Sequence, residues 1–285
     1  MKIIETAREL RQHLKPLRTT GEIGLVPTMG YLHEGHLSLV RRAKQECKTG
    51  VMSIFVNPLQ FGPNEDFDRY PRDLNRDAEL ARQAGVDVLF CPSVTEMYGT
   101  GTLTTVQVRK VTEPLCGASR PGHFDGVATV VTKLFNIVQP DLAYFGLKDA
   151  QQVAVIERMV QDLHIPVTIV PCPIVREADG LALSSRNVYL SEEERKQALI
   201  LSQSLREVKE KLKRGELKRA SEITEYVRQR ISTMPLAEID YVETLTYPEL
   251  EPFDRWEGQR IIVAVAVSFG STRLIDNVLF DGREE

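Results

Sequence analysis

Short apolar runs alternate with amphipathic stretches over the first 170 or so residues. Ile23–Pro27, Val51–Val56, Val86–Phe90, Leu142–Phe145 and Ile165–Val170 each read as a buried strand. Between them, Leu37–Cys47, Asp73–Ala84, Asp125–Val138 and Asp149–Leu163 carry the wider apolar spacing of helices. Strands and helices alternating at these lengths imply βαβ units, hence a parallel sheet with helices on both faces. Such sheets bind ligands at the carboxyl ends of their strands, where the loops gather.

The pattern changes after about Arg176. Ser191 and Glu194 form the S-x-x-E of a capping box, and behind them Ala198, Leu201, Leu205, Val208 and Leu212 recur at helical spacing. Gly215 ends that helix, and Ile223, Val227 and Ile231 mark a second. Two strands are predicted near Ile239–Leu245 and Ile261–Val267. The fold class expected is therefore α/β, a Rossmann-like parallel-sheet nucleotide-binding domain over 1–175, with a smaller α+β C-terminal domain over 176–285.

Composition narrows the function classes. The 285 residues are 42% hydrophobic, enough for a sizeable core, and the net charge of −4 provides no general attraction to nucleic acid or an anionic membrane. No apolar run approaches the roughly 20 residues needed to span a bilayer. The amphipathic start carries Glu5 and Glu9, unlike a signal core. Cys47, Cys91, Cys116 and Cys172 stand far apart with no C-x-x-C pair, so they read as free thiols in a reducing compartment, and the cytoplasm is the expected location.

The candidate chemistry centres on P-T-M-G-Y-L-H-E-G-H, Pro27–His36, between the first buried strand and a helix. Gly30 lets the chain turn off the strand, and Gly35 allows close approach to a ligand. His33 and His36 share one face of the first helical turn. A helix N-terminus suits phosphate, and two imidazoles there can donate to phosphate oxygens. The plainer alternative is that both histidines cap or pack the helix. No G-x-G-x-x-G follows the first strand, which argues against a dinucleotide oxidoreductase.

H-x-G-H in this setting resembles the HIGH motif of the nucleotidyltransferase superfamily. The segments Ser53–Phe61 (SIFVNPLQF), Tyr70–Arg72, Gly117–Val127 (GASRPGHFDGV), Gln139–Gln152 (QPDLAYFGLKDAQQ), Asp179–Asn187 (DGLALSSRN) and Thr272–Asn277 (TRLIDN) follow in order. Together they resemble the pantothenate synthetase (pantoate–β-alanine ligase) family over nearly the full length. That resemblance implies ligation of pantoate to β-alanine through pantoyl adenylate, with ATP as substrate, Mg2+ accompanying it, and AMP and pyrophosphate released. It implies a homodimer, and a C-terminal domain partly covering the active site. Neither nucleic acid nor membrane is implied as a partner.

Carried over by motif, the resemblance makes His36 the catalytic histidine. Met29, Gly30, Tyr31, Leu32, His33, Glu34, Gly35 and His36 would bind ATP. So would Gly146, Leu147, Lys148 and Asp149, although Leu147 stands where the family pattern has glutamate, a side chain that is not essential if backbone groups serve there. Val175 would border the adenine, and Leu183, Ser184, Ser185 and Arg186 would hold the triphosphate. Gln60 and Gln152 would bind pantoate, since an amide both donates and accepts. Arg120 is a weaker phosphate candidate, and His123 reads as structural. Asp77 reads equally as an acid behind the metal or part of a solvated helix face. No residue is assigned as a metal ligand.

Overall fold

The computed structural model describes residues 1–62 and 67–282. β1 (Lys2–Ile4), α1 (Ala7–Leu17), β2 (Ile23–Thr28), α2 (Glu34–Glu46) and β3 (Thr49–Ile54) open the chain. α3 (Leu74–Gln83), β4 (Val88–Phe90), α4 (Val94–Tyr98), α5 (Cys116–Ser119) and α6 (His123–Val138) follow. Then come β5 (Leu142–Gly146), α7 (Ala150–Asp162) and β6 (Thr168–Cys172). The remainder contains α8 (Glu192–Lys213), α9 (Ala220–Ile231), β7 (Ala237–Thr246), β8 (Ile261–Phe269) and β9 (Thr272–Phe280).

These elements form two compact units that interleave along the chain. Met1–Val108, Arg120–Leu147 and Val155–Pro173 make the first; Arg109–Ser119, Lys148–Ala154 and the chain from Ile174 onward make the second.

The first unit holds a six-stranded sheet in the order β1-β4-β3-β2-β5-β6, and every pairing is parallel. Helices flank it: α2 packs on β2, β3 and β5, and α6 on β2 and α1. Val26, Val40, Met52, Leu89 and Tyr144 meet in one apolar cluster, each almost wholly buried. Each such side chain contributes about 1.5–3 kcal/mol relative to exposure. From β2 the chain lays β3 and then β4 outward on one side, and later returns to place β5 on the other flank of β2. The sheet order therefore reverses between β2 and β5, the point at which such sheets open a crevice at the strand ends.

The second unit carries the antiparallel sheet β7-β8-β9. Leu201, Leu205, Val208, Val227, Val263 and Val265 join its helices and strands in a separate core. The Ser191–Glu194 capping box forms as the sequence predicts. Three differences from the sequence pattern stand out. β9 is a third strand where only a motif was visible, β1 precedes the amphipathic first helix, and β6 begins at Thr168 rather than Ile165. Each lies at an edge of its sheet, so it is defined by its single neighbour more than by its own spacing.

Candidate active site

At the carboxyl end of β2, Thr28 Oγ1 donates to Ser53 O at 2.7 Å, joining the ends of β2 and β3. Gly30 then turns with φ at +91°, and a Cβ there would lie 3.0 Å from both Asp77 Oδ2 and Ile54 Cγ2. Tyr31 is also left-handed, at φ 50°, a conformation that costs a non-glycine residue about 1–3 kcal/mol. Asp77, on the first turn of α3, holds this turn in place. Its Oδ2 accepts the Tyr31 N–H at 2.6 Å and its Oδ1 the Leu32 N–H at 2.8 Å. Arg76 donates to Leu32 O at 3.0 Å and lies over the Tyr31 ring. Asp77 is 1% exposed, so a solvated helix face is excluded for it. Leu32 is fully buried in the core; its side chain anchors the turn, and its backbone groups are engaged by Asp77 and Arg76.

His33 is the N-cap of α2. Its Nδ1 accepts the Gly35 N–H at 3.1 Å, and His36 Nδ1 accepts the His33 N–H at 3.3 Å. The ring centroids lie 4.0 Å apart with the planes tilted by 32°. This is a capping box with two imidazoles in place of the usual hydroxyl and carboxylate. A ring nitrogen that accepts carries no proton, so the hydrogen-bond network assigns the proton of each neutral ring to Nε2. Capping uses Nδ1 and a donor role would use Nε2, so the two readings of these histidines do not compete. Glu34 is exposed and paired with Arg41, whose hydrogen bond holds its carboxyl below the usual range. Beside the turn, Gly30, Tyr31, Phe55, Asp77 and Cys91 contribute to a cavity of about 300 Å³.

Gln60 ends a short 3-10 turn, Pro58–Gln60, just past β3. Asn57, 1% exposed, controls it. Asn57 Nδ2 donates to Gln60 Oε1 at 3.0 Å and to Gly126 O at 3.1 Å, while its Oδ1 accepts from Tyr98 OH at 2.6 Å. With Oε1 engaged, the Gln60 amide offers its NH2 as a donor. Arg120 Nη2 and His123 Nδ1 both donate to Gln60 O, at 3.2 and 2.8 Å. Arg120, a phosphate candidate from sequence, here holds the Gln60 backbone, as does His123. Asn57 was legible only as the turn residue before Pro58; its control of Gln60 depends on α4 and α6.

β5 ends at Gly146, next to β2 in the sheet, so Met29–His36, Gln60 and Gly146–Leu147 come together at the ends of β2, β3 and β5. A 3-10 turn covers Leu147–Asp149.

Lys148 and Asp149 open the corresponding segment of the second unit. Desolvation pushes the half-buried Lys148 ammonium below its ordinary range, against the pull of Asp149 and Asp276. Gln151 is buried and structural, accepting from Cys116 N and donating to Val111 O and Pro114 O. Gln152, one residue on, is half-buried. Val175 O accepts the Leu183 N–H at 3.0 Å, and Ser184 Oγ accepts the Arg186 N–H at 3.2 Å, capping the turn Ser185–Tyr189. Arg195 bridges Glu177 and Asp179, and Asn187 Nδ2 donates to Glu177, so the stretch before this turn is fixed by charge.

A sequence profile for the family described as pantoate-beta-alanine ligase matches residues 2–279. A pantothenate synthetase of Acetivibrio thermocellus is 62% identical over 282 residues, which cover 99% of this chain and all of the relative. One from Bacillus cereus is 58% identical over 279 residues, 98% of each. The crystal structure of pantothenate synthetase from Thermus thermophilus is similar with a TM-score of 0.91 at 50% identity, covering 98% of this chain and 99% of that one. The structure of pantoate-beta-alanine ligase from Francisella tularensis, complexed with beta-gamma ATP and beta-alanine, is similar with a TM-score of 0.80 at 35% identity, covering 100% and 99%.

Proposed function

The chain belongs to the pantoate–β-alanine ligase family, and from that premise we propose which of its residues carry the reaction. The enzyme is an ATP-dependent ligase that joins pantoate to β-alanine. A carboxylate is a poor acyl donor. One carboxylate oxygen of pantoate therefore attacks the α-phosphorus of ATP, forming the acyl phosphate bond of pantoyl adenylate as the bond to pyrophosphate breaks. The β-alanine amine then attacks the acyl carbon, loses a proton, and AMP leaves with the electrons of the acyl–oxygen bond. Both steps depend on positioning and on stabilising charge as it moves.

In this reading Met29–His36 receive the nucleotide at the start of α2. His33 and His36 donate from Nε2 to the phosphates while Nδ1 keeps the helix capped, and His36 stabilises the leaving pyrophosphate. Gly146–Asp149, Val175 and Leu183–Arg186 complete the nucleotide contacts, with Lys148 supplying charge. Gln60 donates its NH2 to pantoate, and Gln152 is the second pantoate ligand. The observation that carries the reading is the histidine capping box at the strand end where the sheet order reverses.

Among the described residues no group of three or more His, Cys, Asp or Glu side chains is arranged to hold a metal. Magnesium in this reading arrives with ATP, bound to phosphate oxygens and water. The family reading further assigns a homodimer, which sedimentation would test, and a cytoplasmic location. Among the described residues no helix is long and apolar enough to cross a membrane.

Isotope exchange between pyrophosphate and ATP tests the two-step route. Exchange should need pantoate and magnesium but not β-alanine. If AMP forms only with all three substrates present and no exchange occurs, the adenylate is not a separate intermediate.

A further inference from the structure

The motif Thr272–Asn277 has no part in the roles above, yet its last two residues are buried and engaged. Asp276, 3% exposed on β9, is gripped by the Arg176 guanidinium through two bonds: Nη1 to Oδ2 at 2.6 Å and Nη2 to Oδ1 at 2.9 Å. Arg176 Nη1 also donates to Gly180 O at 3.2 Å. Arg176 stands in the stem of a tight hairpin in which it bridges Ala182, and the Leu183 N–H donates to Val175 O. That hairpin leads straight into Ser184 and the Ser185–Tyr189 turn. Asn277, 5% exposed, donates from Nδ2 to Lys148 O at 3.0 Å, and its own N–H donates to Asp276 Oδ1 at 2.8 Å. One dipeptide of β9 thus reaches the hairpin through Asp276 and the Lys148 turn through Asn277.

Asp276 is buried while the Arg176 side chain is 31% exposed. The cost of desolvating the carboxylate offsets much of the attraction, so the pair is a weak source of net stability; an apolar pair of similar volume is often as stable. A bidentate fork does something an apolar contact cannot: it fixes orientation. We propose that Asp276 and Asn277 are positioning residues for the nucleotide, setting the Val175–Arg186 stretch and Lys148 at one spacing through β9. This rests on the nucleotide contacts assigned above. It gives the Thr272–Asn277 motif a function that needs no contact with substrate.

The test compares ATP binding, pantoate-dependent exchange and thermal melting in wild type, Arg176→Met/Asp276→Leu, Asn277→Asp and Lys148→Met. The double variant should melt near wild type, because the ion pair is replaced by apolar groups, yet bind ATP about 10-fold more weakly, a typical size for lost coupling. The KM for pantoate should hold. Wild-type ATP affinity in the double variant overturns the inference, since a merely structural pair would be fully replaced. Asn277→Asp is close in size but has no N–H for the Lys148 carbonyl; it gives an independent reading if the double variant does not fold. Weaker ATP binding there supports the inference, and unchanged binding overturns it. Lys148→Met separates the two levels. If it leaves ATP binding intact, the nucleotide assignment fails and takes the inference with it. If it weakens binding while the β9 variants do not, only the inference fails.

Discussion

The Cβ that Gly126 lacks would lie 2.2 Å from the carbonyl oxygen of Leu59. Gly126 is in α6, so this contact presses the helix directly against the turn that ends in Gln60. It would also lie 2.8 Å from Gln60 N. Backbone cannot yield as a side-chain tip does. Gly126→Ala should therefore displace the Pro58–Gln60 turn and cost about 1–3 kcal/mol, the usual range for overpacking. Pantoate kcat/KM should fall sharply while ATP affinity is kept. Melting curves and steady-state kinetics check both, and an unshifted pantoate KM would show that Gln60 is not a pantoate ligand.

Asp77→Asn replaces a carboxylate that accepts two backbone N–H groups with an amide that has one acceptor and a donor. One of the Tyr31 and Leu32 N–H groups then faces an NH2. Hydrogen bonds to charged groups are worth about 1.5–3 kcal/mol, so the variant should melt at lower temperature. The left-handed Tyr31 turn should relax, and the exchange rate should drop with it. Loss of stability with the exchange rate unchanged would mean that the turn is held for the fold alone.

The capping bond of His36 and the donor role proposed for it are separable, and two variants distinguish them. His36→Ala loses both the cap to His33 N–H and the Nε2 donor. His36→Gln keeps the reach back to the N-cap, since glutamine is a normal capping-box residue at that position. Both should slow adenylation by roughly 100-fold, the loss expected for one preorganised donor, with ATP affinity changing far less. Only His36→Ala should lose stability. Near-normal adenylation in His36→Gln would leave the histidine a cap and nothing more.

Burial depresses the Lys148 pKa in the free enzyme. A triphosphate beside the ammonium favours its charged form, so the pKa in the ATP complex must lie above that in the free enzyme. ATP binding should therefore take up protons, and affinity should fall as pH rises through the free-enzyme pKa. Calorimetry in buffers of different ionisation enthalpy measures the uptake, which Lys148→Met should abolish. Stability of the free enzyme follows the opposite sense. The unfolded chain binds that proton more tightly, so folding gains stability as pH climbs from the depressed pKa toward the ordinary lysine range. Proton release on ATP binding would place Lys148 away from the phosphates.

Much of this protein was settled locally. The alternation of buried strands and amphipathic helices determined a parallel α/β sheet, because side-chain periodicity is imposed within each segment and survives whatever lies next to it. The motif Pro27–His36 and its position after a strand were enough to place its two histidines at the start of α2, for the same reason. Tertiary structure decided what depends on distant partners. Asp77 looks like any helix-face acid until the turn at Tyr31 closes on it. Asn57 and Arg120 look like loop residues until Tyr98 of α4 and Gly126 of α6 engage the Asn57 side chain and Arg120 reaches the Gln60 carbonyl. The pairing of Asp276 with Arg176 spans 100 residues of sequence, and neither residue predicts the other. A hydrogen bond is specified by two positions at once. Sequence periodicity reports only one segment at a time, so these partners became visible only when the chain had folded.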